Sequence, residues 1–293
     1  MKPFVFPHFR PLAKADQPLL EGAFRNNPPE ISEYTFANLF AWSNSYDFRI
    51  AQFEDFLVIA AVRNGEENFL PLIGKGDIVS AMKEVLRAVK GRFIRVPESA
   101  ASLVRTDTFF AVQEDRDNFD YVYRTSDLAE FKGRKYDGKR NFVKRFAATN
   151  AYEYRPVSDA LRDACLEFEE RWCSVKECEK DEGLRNERHA FEVMVKNFSL
   201  FNLIGGTIVI NDSVVALAVA QELAPLILVM HFLKADASFE GLYPTMVKEF
   251  LSRQVPQYAL VNFEQDLGVA GLRKSKLSYH PLRMVKKYKV SAA

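Results

Sequence analysis

Leu203-Ile-Gly-Gly-Thr-Ile-Val-Ile210-Asn211-Asp212-Ser-Val214-Val-Ala-Leu-Ala-Val-Ala-Gln-Glu222 is the stretch whose reading decides the fold. Aliphatic and β-branched residues fill both of its arms, which predicts strands over 203–210 and 214–222. Asn211-Asp212 between them suits the left-handed backbone of a tight hairpin. Another apolar run follows at 226–233. Gly241 then precedes a helical pattern over 243–254, and 259–263 reads as a further strand. Helical patterns at 161–172 and 187–200 come before the hairpin. A short helix at 269–276 and a last strand at 284–290 come after it.

The first half follows the same order. Runs at 48–53 and 56–62 flank Glu54-Asp55, again a hairpin signal. A strand at 69–73 follows. Gly76-Asp77 opens a helix at 78–89, with apolar residues at Ile78, Val79, Met82, Val85, Leu86 and Val89. A strand at 93–96, a helix at 98–105 and a strand at 119–123 complete it. The repeat is one of element order, without residue identity. Between the halves, 128–146 is charge-rich and helical in pattern. The sequence thus predicts a domain over 1–127, a basic helical linker over 128–150, and a second domain over 151–293.

Length and composition agree with two medium domains or one large one, because 293 residues at 48% hydrophobic can bury a substantial core. A net charge of +1 gives no whole-molecule attraction to nucleic acid or anionic membrane. The three cysteines, Cys165, Cys173 and Cys178, complete no zinc pattern and read as free thiols of a reducing cytoplasm. His8, His189, His231 and His280 have no metal-ligand spacing. The proline-broken start is too short for a signal peptide, and no run approaches the ~20 apolar residues of a membrane span. A cytoplasmic protein without an integral membrane segment is expected. No P-loop, dinucleotide fingerprint or nucleophile elbow is present.

The chemistry-bearing stretch is Asn262-Phe-Glu264-Gln-Asp266-Leu-Gly268-Val-Ala-Gly271-Leu-Arg273-Lys274-Ser-Lys276-Leu-Ser278-Tyr279-His280-Pro281. If the strand continues, Asn262, Glu264 and Asp266 share one face. Two carboxylates on one face suit an ammonium group, and either serves as a general base if burial or its neighbour raises its pKa. The alternative is that they pair with Arg273 or Lys274 and cap the following helix near Gly268. Arg273 and Lys276, set among small and apolar residues, are candidate phosphate holders. Ser278 and Tyr279 are candidate hydrogen-bond or proton donors, or Tyr279 is a packed ring with a satisfied hydroxyl. Lys286, Lys287 and Lys289 read as an ordinary solvated basic tail. In the linker, Lys139, Arg140 and Asn141 stand where basic and aromatic residues interleave, a pattern for phosphates with stacking or for a solvated surface helix. His231, inside an apolar strand, is either a core histidine or a liner of the site.

This order of elements resembles the GNAT acyltransferase fold, a mixed α/β sheet whose adjacent central strands splay around the acyl donor. Two such units in one chain resemble the Fem-type aminoacyltransferases. With 139–146, 231–236 and 262–281 the chain is similar to the bacterial family that shares the C-terminal domain of phosphatidylglycerol lysyltransferase. The resemblance covers nearly the whole chain. It implies tandem GNAT-like domains with mixed splayed sheets and transfer of an acyl or aminoacyl group to an amine- or hydroxyl-bearing small acceptor. It places Glu264, Asp266 and Tyr279 in catalysis, and Asn262, Arg273, Lys276, Ser278, His231, Lys139, Arg140 and Asn141 in substrate binding. The implied donor is aminoacyl-tRNA, with acyl-CoA as the alternative donor and a non-catalytic metabolite-binding protein as the alternative outside enzymes. The chain departs from CoA-using GNAT enzymes at Ala235-Asp-Ala-Ser-Phe-Glu-Gly241-Leu-Tyr-Pro244. There the glycine-rich pyrophosphate loop is reduced to one glycine, with two acids and no arginine.

Overall fold

The structure, a computed structural model, describes residues 4–63 and 65–293. The first sheet and its helices begin with β1 (Phe4–Val5), β2 (Arg10–Pro11), α1 (Gln17–Asn26), α2 (Phe36–Ala41) and α3 (Ser43–Tyr46). They continue with β3 (Arg49–Phe53), β4 (Phe56–Arg63), β5 (Glu66–Phe69), β6 (Ile73–Gly74), α4 (Ile78–Ala88), β7 (Arg92–Pro97), α5 (Glu98–Val104) and β8 (Phe110–Glu114). Next come β9 (Asp120–Arg124), α6 (Thr125–Glu130), α7 (Asp137–Thr149), β10 (Glu153–Pro156), α8 (Arg162–Lys176) and α9 (Glu182–Lys196). Then follow β11 (Ile204–Ile210), β12 (Ser213–Ala224), β13 (Ile227–Ala235), α10 (Leu242–Arg253), β14 (Leu260–Asn262), α11 (Ala270–Leu277), β15 (Arg283–Val285) and β16 (Lys287–Ala292).

Two compact units form, and they interleave in sequence. The first holds residues up to Asp120 with 265–270 and 284–293; the second holds 121–264 and 271–283. This differs from a single cut around 128–150. That segment folds as the end of α6, a 3-10 turn and α7, and α7 buries Val143 and Phe146 within the second unit.

In the first unit the main sheet order is β1-β3-β4-β5-β7-β16-β8, with parallel and antiparallel pairs mixed. The β3–β4 hairpin turns at Glu54, whose φ of 49° is left-handed. α4 starts at Asp77, whose side chain accepts from the Ser80 backbone N–H at 3.1 Å and caps the helix. Its buried face, Ala81, Met82 and Val85, joins Phe69, Phe93, Val96 and Val290 in the core.

The last strand, β16, is interior to this sheet and antiparallel to both β7 and β8. That placement corrects the reading of Lys287 as part of a solvated tail. Its side chain is wholly buried, with Nζ 2.6 Å from Asp120 and 2.7 Å from Glu33. Gln265 Nε2 donates to Ser32 Oγ at 2.8 Å and to Asp120 Oδ1 at 2.9 Å, and Arg95 pairs with Glu33 at 3.0 Å. A buried ammonium survives because carboxylates surround it and other donors fill their remaining lone pairs.

In the second unit the sheet order is β10-β11-β12-β13-β14-β9-β15, with β13 and β14 parallel and most other pairs antiparallel. The β11–β12 hairpin turns at Asn211 and Asp212, both with positive φ. α10 buries Leu242, Met246, Val247, Phe250 and Leu251. The reading of three free thiols is corrected here. α8 stops at Glu177 with a left-handed φ of 53°, and the chain folds back until the Cα atoms of Cys173 and Cys178 lie 5.0 Å apart, joined by a disulfide. Cys165 is free and buried.

Candidate active site

β13 and β14 run side by side for three residue pairs only, ending at Val229 opposite Asn262. β13 continues to Ala235, whereas the other chain leaves the sheet, so the two central strands part at this point. On its far edge β13 bulges against β12. Val219 pairs with Phe232 and Ala220 with Met230, so His231 is the extra residue. A bulge re-aims a side chain, and here His231 Nδ1 comes within 3.0 Å of Glu264 Oε1.

Glu264 reaches that position through a strained turn. Its φ is 57°, a region that side chains longer than glycine's rarely adopt. Asn262, itself buried, accepts from the Glu264 N–H through Oδ1 at 2.8 Å, and the Tyr121 N–H donates to the Glu264 carbonyl at 3.2 Å. The Lys276 ammonium donates to the Phe263 carbonyl at 2.5 Å, and Tyr123 Oη donates to the Lys276 carbonyl at 2.8 Å. Glu264 is therefore held on both sides, yet its side chain keeps 20% of its exposure. A carboxylate fixed by its backbone and still reachable has the geometry of a base or an ammonium holder.

The turn also explains why the alternation expected over Asn262, Glu264 and Asp266 fails. The strand ends at Asn262, and Glu264 and Leu267 are both left-handed. Asp266 belongs to the first unit and is wholly buried. It accepts from the Gly268 N–H at 2.9 Å and pairs with Arg116 at 3.2 Å. Its carboxylate thus shapes the turn that follows Glu264.

Around the parting lies a group of phenols. Tyr279 is buried, and burial followed by the neighbouring Tyr243 pushes its phenol well above the ordinary range. Its ring lies 6.5 Å from that of Phe263 and its carbonyl accepts from Tyr136 Oη at 3.0 Å. Tyr243 Oη donates to the Leu233 carbonyl of β13 at 3.0 Å. Lys139, in the first turn of α7, places Nζ 3.7 Å from the Tyr279 ring centre and donates to Ser278 Oγ at 2.8 Å. Burial lowers its ammonium to about 8.

The other predicted binding residues divide. Arg140 is committed to α7's entry, where its guanidinium donates to the carbonyls of Phe131 and Gly133 (2.8 Å for the latter) and pairs with Asp137. Asn141 is exposed on α7 and Arg273 half-buried on α11. Ser278 and Lys276 sit beside the parting as described. Sequence reading missed Tyr243 and the group behind β13. There Lys234 Nζ lies 2.7 Å from Glu169, 2.8 Å from Glu187 and 4.1 Å from the Trp172 ring centre. Burial raises the Glu169 carboxyl despite Lys234. Trp172 is thus a cation's floor. Cavities of about 760 Å³ beside Phe4 and Arg49, and of about 390 Å³ beside Arg145 and Glu240, do not include Glu264 or His231 in their walls.

Two mixed sheets with a parted central pair define a tandem GNAT-like α/β protein. The family described as "Phosphatidylglycerol lysyltransferase, C-terminal" matches residues 24–291, and the chain belongs to that family. A Bacteroides thetaiotaomicron protein of unknown function is 32% identical, with 97% of this chain and 99% of that one covered and a TM-score of 0.91. The L-PGS structure from Bacillus licheniformis is 14% identical, covering 94% and 92%, with a TM-score of 0.67. The FemX structure is 7% identical, covering 98% and 97%, with a TM-score of 0.62. Among curated proteins none matches. No helix among the described residues is long and apolar enough to cross a membrane.

Proposed function

We propose that the chain transfers an aminoacyl group from an ester donor, aminoacyl-tRNA, to an amine or hydroxyl acceptor. The observation that carries this reading is the His231–Glu264 pair at the parting of β13 and β14. Glu264 takes the acceptor's proton, and His231 orients its carboxylate. Backbone of β13 beyond Val229 lines the donor carbonyl, where fixed dipoles stabilise the developing oxyanion. Lys139 meets donor phosphate. Holding both substrates in one cleft supplies much of the acceleration.

One contact favours this donor over acyl-CoA. A GNAT enzyme that uses CoA holds pyrophosphate at the N-terminus of the helix equivalent to α10. Here α7 packs on that end, and a Cβ on Gly241 would stand 2.4 Å from the Phe142 carbonyl oxygen. Arg145 and Glu240 pair at 3.1 Å beside it.

The test is equilibrium binding of aminoacylated and uncharged tRNA at low and near-physiological salt. Tighter binding of the charged form that persists at higher salt is expected. Binding that ignores the aminoacyl group and collapses with salt overturns the reading, since it reports phosphate attraction alone.

A further inference from the structure

Behind β13, a covalent bond touches the group that surrounds Lys234. Cys173, in the last turn of α8, is joined to Cys178 in the turn before α9, and both are buried. Cys173 Sγ lies 3.7 Å from Glu169 Oε1, the oxygen that also takes Lys234 Nζ at 2.7 Å. While bonded, that sulfur has no hydrogen to give. The other Glu169 oxygen, Oε2, is buried and has no hydrogen-bond partner among the described residues. A buried acceptor left unmet costs free energy, and a Cys173 thiol supplies the missing donor. Trp172, next to Cys173, lays its ring beneath the same ammonium, and Lys234 stands on β13, the strand that carries His231.

As a staple the bond does little. Its cysteines are five positions apart, and so short a loop constrains the unfolded chain far less than a long one does. Nor does the local fold lean on it. The Glu177 N–H closes α8 on the Cys173 and Ser174 carbonyls, and Asp181 caps α9 by accepting from the Leu184 N–H at 2.9 Å. Solvent is near, because Lys176, Glu177, Glu179 and Lys180 are exposed on either side of Cys178.

We propose that Cys173–Cys178 is a reversible thiol–disulfide switch, opened by a dithiol reductant, that carries redox state to the Lys234 group of β13. A thiolate of the reductant attacks one sulfur, and its second thiol displaces that sulfur as the reductant closes into its own disulfide. The S–S bond breaks, and the pair takes up two electrons and two protons to become two thiols. Cys173 then donates to Glu169. The turn that holds Cys178 comes free of α8, and the Trp172 cover over Lys234 loosens. The switch does not depend on which group the candidate active site transfers.

The experiment exposes the full chain to dithiothreitol without denaturant, labels thiols with iodoacetamide and locates the label by peptide mass spectrometry. Cys173 and Cys178 are expected to label, with the buried Cys165 spared as the sign of an intact fold. Labelling of Cys165 at the same rate, or of the pair only after guanidinium chloride is added, overturns the switch. Oxidised glutathione is expected to restore the bond once dithiothreitol is removed, and failure to restore it overturns reversibility. The link to Lys234 is read in a Trp42→Phe background, where Trp172 is the sole tryptophan. Acrylamide quenching of its emission is expected to rise several-fold on reduction and to fall back on reoxidation. Quenching that ignores the redox state overturns the link. Protein carrying Cys173→Ser and Cys178→Ser is expected to quench at the reduced level with or without dithiothreitol. A response to dithiothreitol in that protein overturns the link as well, since the reductant then acts elsewhere.

Discussion

At the scale of single residues, Glu264 joins a strained turn to the proposed role of base. Glu264→Gln keeps the turn and removes the proposed base, so transfer is expected to fall about 100-fold or more with little change in stability. Stopped donor turnover with an unshifted urea midpoint checks it, and undiminished turnover excludes the role. Asn262→Ala instead leaves the Glu264 N–H without its acceptor, at a cost of about 1–3 kcal/mol read from the same urea curve. Lys139 gives a pH signature. Its ammonium is released near pH 8 when folded, below the ordinary lysine range to which the unfolded chain holds it. Between those values the unfolded state binds more protons, so this group's contribution to stability rises with pH across about 8 to 10.4. Urea denaturation over that range is expected to show the wild type gaining on Lys139→Met as pH rises. A gap that stays constant or narrows excludes the depressed lysine. The residue types Glu264, Lys139 and Tyr279 were readable from sequence because polar groups crowded an apolar setting. The Arg116 partner of Asp266 was not, since a contact across 150 positions leaves no local trace.

At the scale of elements, hairpins and helices were legible where turn chemistry and periodicity coincide. Glu54, Asn211 and Asp212 sit in left-handed turns where the sequence expects hairpins, and Asp77 caps α4. The bulge at His231 was not legible, because one extra residue in an apolar run does not change its composition. Nor was the end of β14, since alternation in 262–266 mimics a longer strand that the Glu264 turn interrupts. The junction of α7 and α10 offers a direct test of how the elements are fitted. Gly241 has a φ of 86° and no room for a methyl group against the Phe142 carbonyl. Gly241→Ala is expected to destabilise the protein by at least about 1–3 kcal/mol, from left-handed strain alone. A thermal midpoint unchanged from wild type would show that α7 does not press on this turn.

At the scale of the whole molecule, what the sequence conceals is which sheet a strand joins. Period-two patterns mark 119–123 and 284–290 as strands, but nothing in them names a partner. β9 enters the sheet of the second unit, and β16 enters that of the first. The clue that lay in plain view was Lys287, a cation alternating with apolar neighbours in an interior strand. Lys287→Ala is expected to cost about 3–5 kcal/mol by leaving Asp120 and Glu33 buried without their ammonium, whereas an added Asp120→Asn restores part of it. Chemical denaturation of both variants decides the matter, and a loss below 1 kcal/mol would show the cluster to be solvated. The position of β16 between β7 and β8 also bears on how the chain is born. A ribosome delivers residues in order, and domains generally fold as they emerge. The first unit, begun early, lacks an interior strand until 287–292 are synthesised. Its half-built sheet must wait with the facing edges of β7 and β8 bare while the residues between β8 and β16 are made, a natural point for a chaperone to hold the nascent protein.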